Sequence, residues 1–268
     1  MRSYLQQRAL VEKPFTDIHA TAESQLDGKP LIIVDTRQIA DARVLPETVE
    51  NLILLGKALS KSLRYLEAIE AYSKALALNP DSSEALRLRA GRYLSTLQTK
   101  RAIEDFRRAL ETGGDALDCR YRMGLAFYFQ GDYEKAMEEF SSVLFLADPE
   151  MEIALIYWHS LASLKAKKDP SFLHREVAEE AVGHHYSYRE GVSFLRGELT
   201  EDGLRKRAEA ESCDMEYSMK MYALHVWKES RGKKDTLLKD ILKRDEYWFC
   251  FSSLAAWQER RRALRGSP

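Results

Sequence analysis

Few residues in this 268-residue chain stand at spacings that chemistry demands. His184 and His185 are adjacent and precede Tyr186, types that could bind a metal or act as a base. Neighbours on a helix project about 100° apart, and no ligand-rich partner stands one turn later to close a site. The pair reads as polarity at a loop or helix end, so we expect no metal and no cofactor. Asp35-Thr36-Arg37 comes after an apolar run, as a strand-end acidic site would, but its nucleophile and phosphate-loop companions are missing. The sequence contains no Gly-x-Ser-x-Gly, no phosphate loop and no His-Glu-x-x-His. Cys119, Cys213 and Cys250 are odd in number, far apart, and form no Cys-x-x-Cys pair. They read as idle or buried thiols in a reducing compartment. The expectation is a protein that is not an enzyme, with no catalytic residues.

Composition narrows the partners further. The formal charge is −1, so no net field attracts nucleic acid or an anionic membrane. Arg260-Arg261-Arg262 is a short run among helix formers and reads as a solvated helix face. The first residues show neither a sustained apolar core nor a small-residue cleavage site, so no signal peptide is expected. No apolar run approaches the ~20 residues that span a bilayer. A cytoplasmic location is then the expectation. Glycine (13) and proline (7) are scarce, which favours helices over a turn-rich β fold.

The elements that must position any functional surface are legible as a period. Ala68, Ala102 and Ala136 fall at one constant interval. Tyr72, Phe106 and Phe140 keep the same interval, as do Ala75, Ala109 and Val143. Spacings of three and four place Leu52, Leu55, Gly56 and Leu59 on one helical stripe. Tyr65, Ala68, Ile69, Tyr72, Ala75 and Leu76 form another. Gly56, Ala90 and Gly124 let paired helices approach, while the aromatics fill the space between pairs. Pro80, Gly113-Gly114 and Asp148-Pro149 end the second helix of each pair.

The segments "NLILLGKAL…YLEAIEAYSKALALNP", "AGRYL…KRAIEDFRRAL" and "RMGLAFYFQGDYEKAMEEFSSVL" resemble the tetratricopeptide repeat family. The resemblance implies an all-α fold, a right-handed superhelical α-solenoid with degenerate terminal repeats. Three clear units are expected over 49–150 (49–82, 83–116 and 117–150). The second unit carries Arg89-Ala90 where the family prefers Leu-Gly. A degenerate helical unit is expected over 1–48, with "PLIIVDTR" as a β-strand the competing reading of its centre. Degenerate helices ending in a capping helix are expected over 151–268. There "MEIALIYWHSLASLKAKK" reads as the leading helix of a fourth unit, and Asp169-Pro170 as the start of another helix. "FLRGELTEDGL" and the stretch after it are similar to the C-terminal part of NlpI-type bacterial proteins, although the lipid-bearing cysteine of the lipoproteins is missing.

In this family the leading helices line a concave groove that binds proteins or peptides. By register the groove residues would include Lys57, Lys61, Arg87, Leu94, Tyr121, Leu125, Tyr128, Phe129 and His159. Tyr121, Tyr128 and Phe129 could anchor a peptide, with Arg87 and the lysines reading acidic groups beside it. The same rings could equally pack beneath the next helix or the C-terminal segment. The two-carboxylate clamp of chaperone adaptors is not matched: Ile53, Lys57, Leu88, Asp118 and Arg122 stand at its positions, and Asp118 has the wrong sign. Acidic chaperone C-terminal tails are therefore not expected as partners. The function implied is a scaffold or adaptor for a protein or peptide partner. Two further readings stand open: self-association through Trp248, Phe249 and Trp257, and a small-ligand or enzymatic role in the irregular region 170–230.

Overall fold

The computed structural model describes residues 25, 26, 29, 30, 36–177, 182–244 and 247–264. The first elements are β1 (Gln25–Leu26) and β2 (Lys29–Pro30), an antiparallel ladder with Gln25 opposite Pro30 and Leu26 opposite Lys29. These four residues are extended. Helix α1 (Thr36–Arg43) comes next. The core of the "PLIIVDTR" question, residues 31–35, lies outside the described residues. Apart from that short ladder, the regular elements described are helical.

The chain divides into two units, the first ending at Ala126 and the second beginning at Phe127. The division falls inside α6 (Ala116–Gln130), within the third repeat. In the first unit α1 packs on α2 (Val49–Lys61), α2 on α3 (Tyr65–Leu78), α3 on α4 (Ser83–Ser95), and α4 on α5 (Thr99–Glu111). Local chemistry sets these boundaries. Thr48 and Ser82 accept hydrogen bonds from Asn51 N and Ala85 N, capping α2 and α4. Leu63, Leu97 and Gly131 stand at the repeat interval, and all have left-handed backbones (φ 58°, 57° and 87°). In each case the next amide turns back to a carbonyl five residues earlier, from Arg64 to Leu59, Gln98 to Tyr93 and Asp132 to Phe127. This is the helix-ending motif that glycine usually supplies. Here burial of the two leucine side chains opposes the backbone cost.

The periodic positions form the interior. Ala68, Ala102 and Ala136 are fully buried, and so are Tyr72, Phe106 and Phe140. Gly56 allows close approach: a Cβ there would stand 2.2 Å from the Tyr72 ring. The unexpected Arg89 makes a two-pronged ion pair across the second helix pair, with its Nε and Nη2 at 2.7 and 2.9 Å from the buried Asp105 carboxylate.

In the second unit, α7 (Tyr133–Val143) packs on α8 (Pro149–Lys165), whose Ile153–Ser163 stretch is buried throughout. The remaining helices are α9 (Tyr186–Arg196), α10 (Glu201–Ala210), α11 (Asp214–Ser230), α12 (Leu237–Ile241) and α13 (Phe251–Leu264). Helix α11 packs against α8, α9, α10, α12 and α13 and forms the centre of this unit. Asp148 and Thr200 cap α8 and α10, and Gly232 turns the chain after α11 with φ 65°. The helix expected from Pro170 does not form over 170–177; turns and extended chain run there instead. No helix of the described residues is long and apolar enough to cross a membrane. All three cysteines are free and buried. Burial pushes the thiols of Cys119 and Cys250 up to about 11.

Candidate functional site

The first unit contains a cleft of about 600 Å3 between α1, α2 and α4. One wall is Gln38, Asp41, Ala42 and Leu45, from α1 and the turn after it. The other wall carries Leu54, Lys57, Ala58 and Lys61 from α2, with Leu88 and Arg92 from α4. Tyr72 lies beneath, its hydroxyl 3.3 Å from Ser60 Oγ. The helical period explains the composition. Leu54, Lys57, Ala58 and Lys61 stand at spacings of three and four and form one stripe of α2. Leu52 and Leu59, on another side, enter the core. Leu54 and Leu45 remain 51% and 39% exposed, so the cleft offers bare apolar surface.

Its rim is basic. Lys57 Nζ lies 2.6 Å from the Glu84 carboxylate, in a pair about half exposed on both sides. Lys61 is exposed on the last turn of α2, and among the described residues no carboxylate pairs with it. Arg92 is stacked over the Tyr65 ring at 4.5 Å. Arg87, nearer the start of α4, is committed to Asp118 at 2.8 Å, and Asp118 also accepts from Arg122 at 2.6 Å. Burial would raise the Asp118 pKa, but Arg122 and then Arg87 outweigh it and hold the group below its ordinary value.

Of the groove residues inferred by register, Lys57 and Lys61 therefore line this cleft, and Arg87 is half-buried in an ion pair. The others are interior. Leu94, Tyr121 and Leu125 are buried in the first unit. Tyr128 and Phe129 are buried in the second, edge-on to Trp158 at 5.2 and 6.5 Å. The Tyr128 hydroxyl meets that of Tyr222 at 2.9 Å, and Phe251 of α13 lies beside Phe129. His159 is buried and stacked on Phe172 at 3.7 Å, and burial lowers its pKa to about 4. The arrangement observed is the one in which the third-repeat rings pack under other helices. In this structure they are not an exposed anchor. Trp248 and Trp257 are likewise buried, which removes them as a self-association surface. Leu45, Leu54, Leu88 and Arg92 were the residues missed. The signal for Leu54 was its place between two core leucines on α2, off the buried stripe.

A second polar constellation lies within the other unit. Glu259 of α13 receives Lys165 Nζ at 2.7 Å, His225 Nε2 at 3.2 Å and the Tyr222 hydroxyl. Asp235 holds the other ring nitrogen of His225 at 3.1 Å. Burial alone would lower the His225 pKa, but Asp235 and Glu259 together raise it to about 9. Burial would raise that of Glu259, yet Lys165 and His225 depress it to about 2. His225, Glu229 and Glu259 offer ligand atoms within 4.8 Å of one another, a spacing that could hold a metal ion. Lys165 already bridges both glutamates, however, so the chain's own cations satisfy the cluster.

A family model described as anaphase-promoting complex, cyclosome, subunit 3 matches residues 61–143. Two curated relatives are similar to this chain over 66 residues, 24% of it. Both are named photosystem I assembly protein Ycf3, from Parasynechococcus marenigrum (strain WH8102), 44% identical, and Synechococcus sp. (strain CC9605), 41% identical. The match spans 38% of the length of each relative. Among solved structures, the crystal structure of YrrB, titled a TPR protein with an unusual peptide-binding site, aligns over 85% of this chain and 100% of that one. Its TM-score is 0.44 and its identity 16%. The constant repeat register, the buried alanines and aromatics it sets, and the helix-ending motif that recurs with it make this an all-α stack of helix pairs of the tetratricopeptide-repeat type.

Proposed function

We propose that the protein is a non-enzymatic scaffold whose first-unit cleft receives a segment of a protein partner. The observation that carries this reading is bare apolar surface, Leu45 and Leu54, enclosed between helices and rimmed by Lys57 and Lys61. Burying such side chains contributes about 1.5–3 kcal/mol each, enough for a few anchors to hold a peptide. A volume near 600 Å3 is also within the ordinary range for ligand pockets. The two relatives are assembly proteins by name, and holding a partner during assembly is work suited to such a cleft. A cytoplasmic setting belongs to the same reading, supported by three free thiols.

The test is capture from lysate of the cells that make the protein, using wild type and Leu54→Asp. Loss of a captured protein by the variant, at unchanged helicity and unfolding midpoint, is the expected result. Equal capture of the same protein by both forms would place the binding surface elsewhere.

A further inference from the structure

The corner between α10 and α11 brings three carboxylates around one lysine. Glu211 ends α10, Glu216 lies in the first turn of α11, and Glu190 reaches in from α9. Lys220 Nζ, fully buried, contacts Glu211 and lies 3.0 Å from Glu190. Arg207 takes the other oxygen of Glu190 at 2.6 Å. Glu190 and Glu211 are thus each paired with a cation, while Glu216, 4% exposed, has no cation bonded to it among the described residues. Instead, the Tyr186 hydroxyl is shared. It lies 2.9 Å from Glu211 and also contacts Glu216.

A phenol has one hydrogen to give. With two carboxylates on one hydroxyl, one receives that hydrogen and the other faces an oxygen lone pair. The second contact is attractive only if that carboxyl carries its own proton. Charge counting agrees. With one proton on the Glu211–Glu216 pair, Glu190 and the remaining carboxylate balance Lys220 and Arg207. Without it, a buried negative charge is left over. Among the described residues, Arg244 is engaged with Glu209 and Asp214.

We infer that Glu211 and Glu216 share one proton near neutral pH, and that this proton operates the α10–α11 corner as a joint, closed when bound and loosened when lost. Burial, and then the neighbouring Glu211, raise Glu216 to about 7, which sets the working range. A carboxyl raised in the folded state favours folding at low pH. That contribution is lost as pH climbs from the ordinary value of 4.5 through about 7. The step itself is simple: the Glu216 O–H bond breaks and the proton passes to water.

Hydrogen exchange of the 209–217 segment at pH 6 and pH 8, corrected for intrinsic rates, tests the joint. Wild type is expected to exchange up to roughly tenfold faster at pH 8. Glu216→Gln, which keeps a neutral side chain, is expected to show no such change. A pH-independent wild type, or an unchanged response in Glu216→Gln, would overturn the inference. Should the variant fold poorly, infrared spectra of wild type keep the test open: a protonated-carboxyl band must disappear between pH 6 and 8, and its absence refutes the shared proton.

Discussion

Gly56 and Gly91 occupy similar helices and have opposite expectations. A methyl group at Gly56 would collide with the buried Tyr72 ring at 2.2 Å, whereas one at Gly91 meets nothing within 4 Å. Gly56→Ala should lower stability by about 1–3 kcal/mol through overpacking. Gly91→Ala should raise it by about 0.5–1 kcal/mol, because alanine loses less freedom in a helix. Urea unfolding of the pair checks both signs. Asp105→Ala leaves the Arg89 guanidinium unpaired, and Arg89 keeps some solvent contact. Its cost is expected toward the lower end of the ~3–5 kcal/mol seen when a buried pair loses a member. Gly56 was legible as a small residue on a periodic stripe. The Arg89–Asp105 pair was not, although Arg89 broke the family pattern. A departure from pattern marks a position but does not name its partner on the next helix.

At the scale of elements, α13 is held by Glu259, which joins Lys165 of α8 to His225 of α11. His225 is raised to about 9, so its contribution is complete below its ordinary value of 6.5 and is lost as pH rises through 9. Glu259 is depressed to about 2, so its contribution is present above 4.5 and is lost as pH falls toward 2. His225→Gln should therefore flatten the fall in stability between pH 6.5 and 9 and weaken the acid limb without abolishing it, since Lys165 still holds Glu259 down, as thermal melts across pH would show. An apolar pattern and the turn at Gly232 frame α11, Asp214 to Ser230. The helix expected after Asp169-Pro170 was misread for a tertiary reason. Arg196 of α9 takes the Leu173 and Arg175 carbonyls, Phe172 stacks on His159, and these contacts override a favourable local start.

For the whole chain, the period revealed the repeats, but not which faces of them stay open. Lys57 and Lys61 could be placed because their stripe is decided within one helix. The fate of Tyr128 and Phe129 depends on Tyr222 and Phe251, far later in the chain, and no local pattern records that. The two regions should respond separately to substitution. Tyr128→Phe removes the hydroxyl contact with Tyr222 and is expected to cost about 1 kcal/mol of stability. It should leave partner capture through the first-unit cleft unchanged. Capture lost in Tyr128→Phe at an unchanged midpoint would show that the second unit contributes to binding.

The buried thiols give the protein a built-in reporter. Only thiolate attacks an alkylating reagent, and Cys119 and Cys250 are both shielded and reluctant to ionise. Modification at mildly alkaline pH must wait for the surrounding helices to part. Labelling at Cys119 clocks the opening of the first unit, and labelling at Cys250 that of the second. Mass spectrometry of the two peptides would then time each event in an unmodified chain, with no engineered probe.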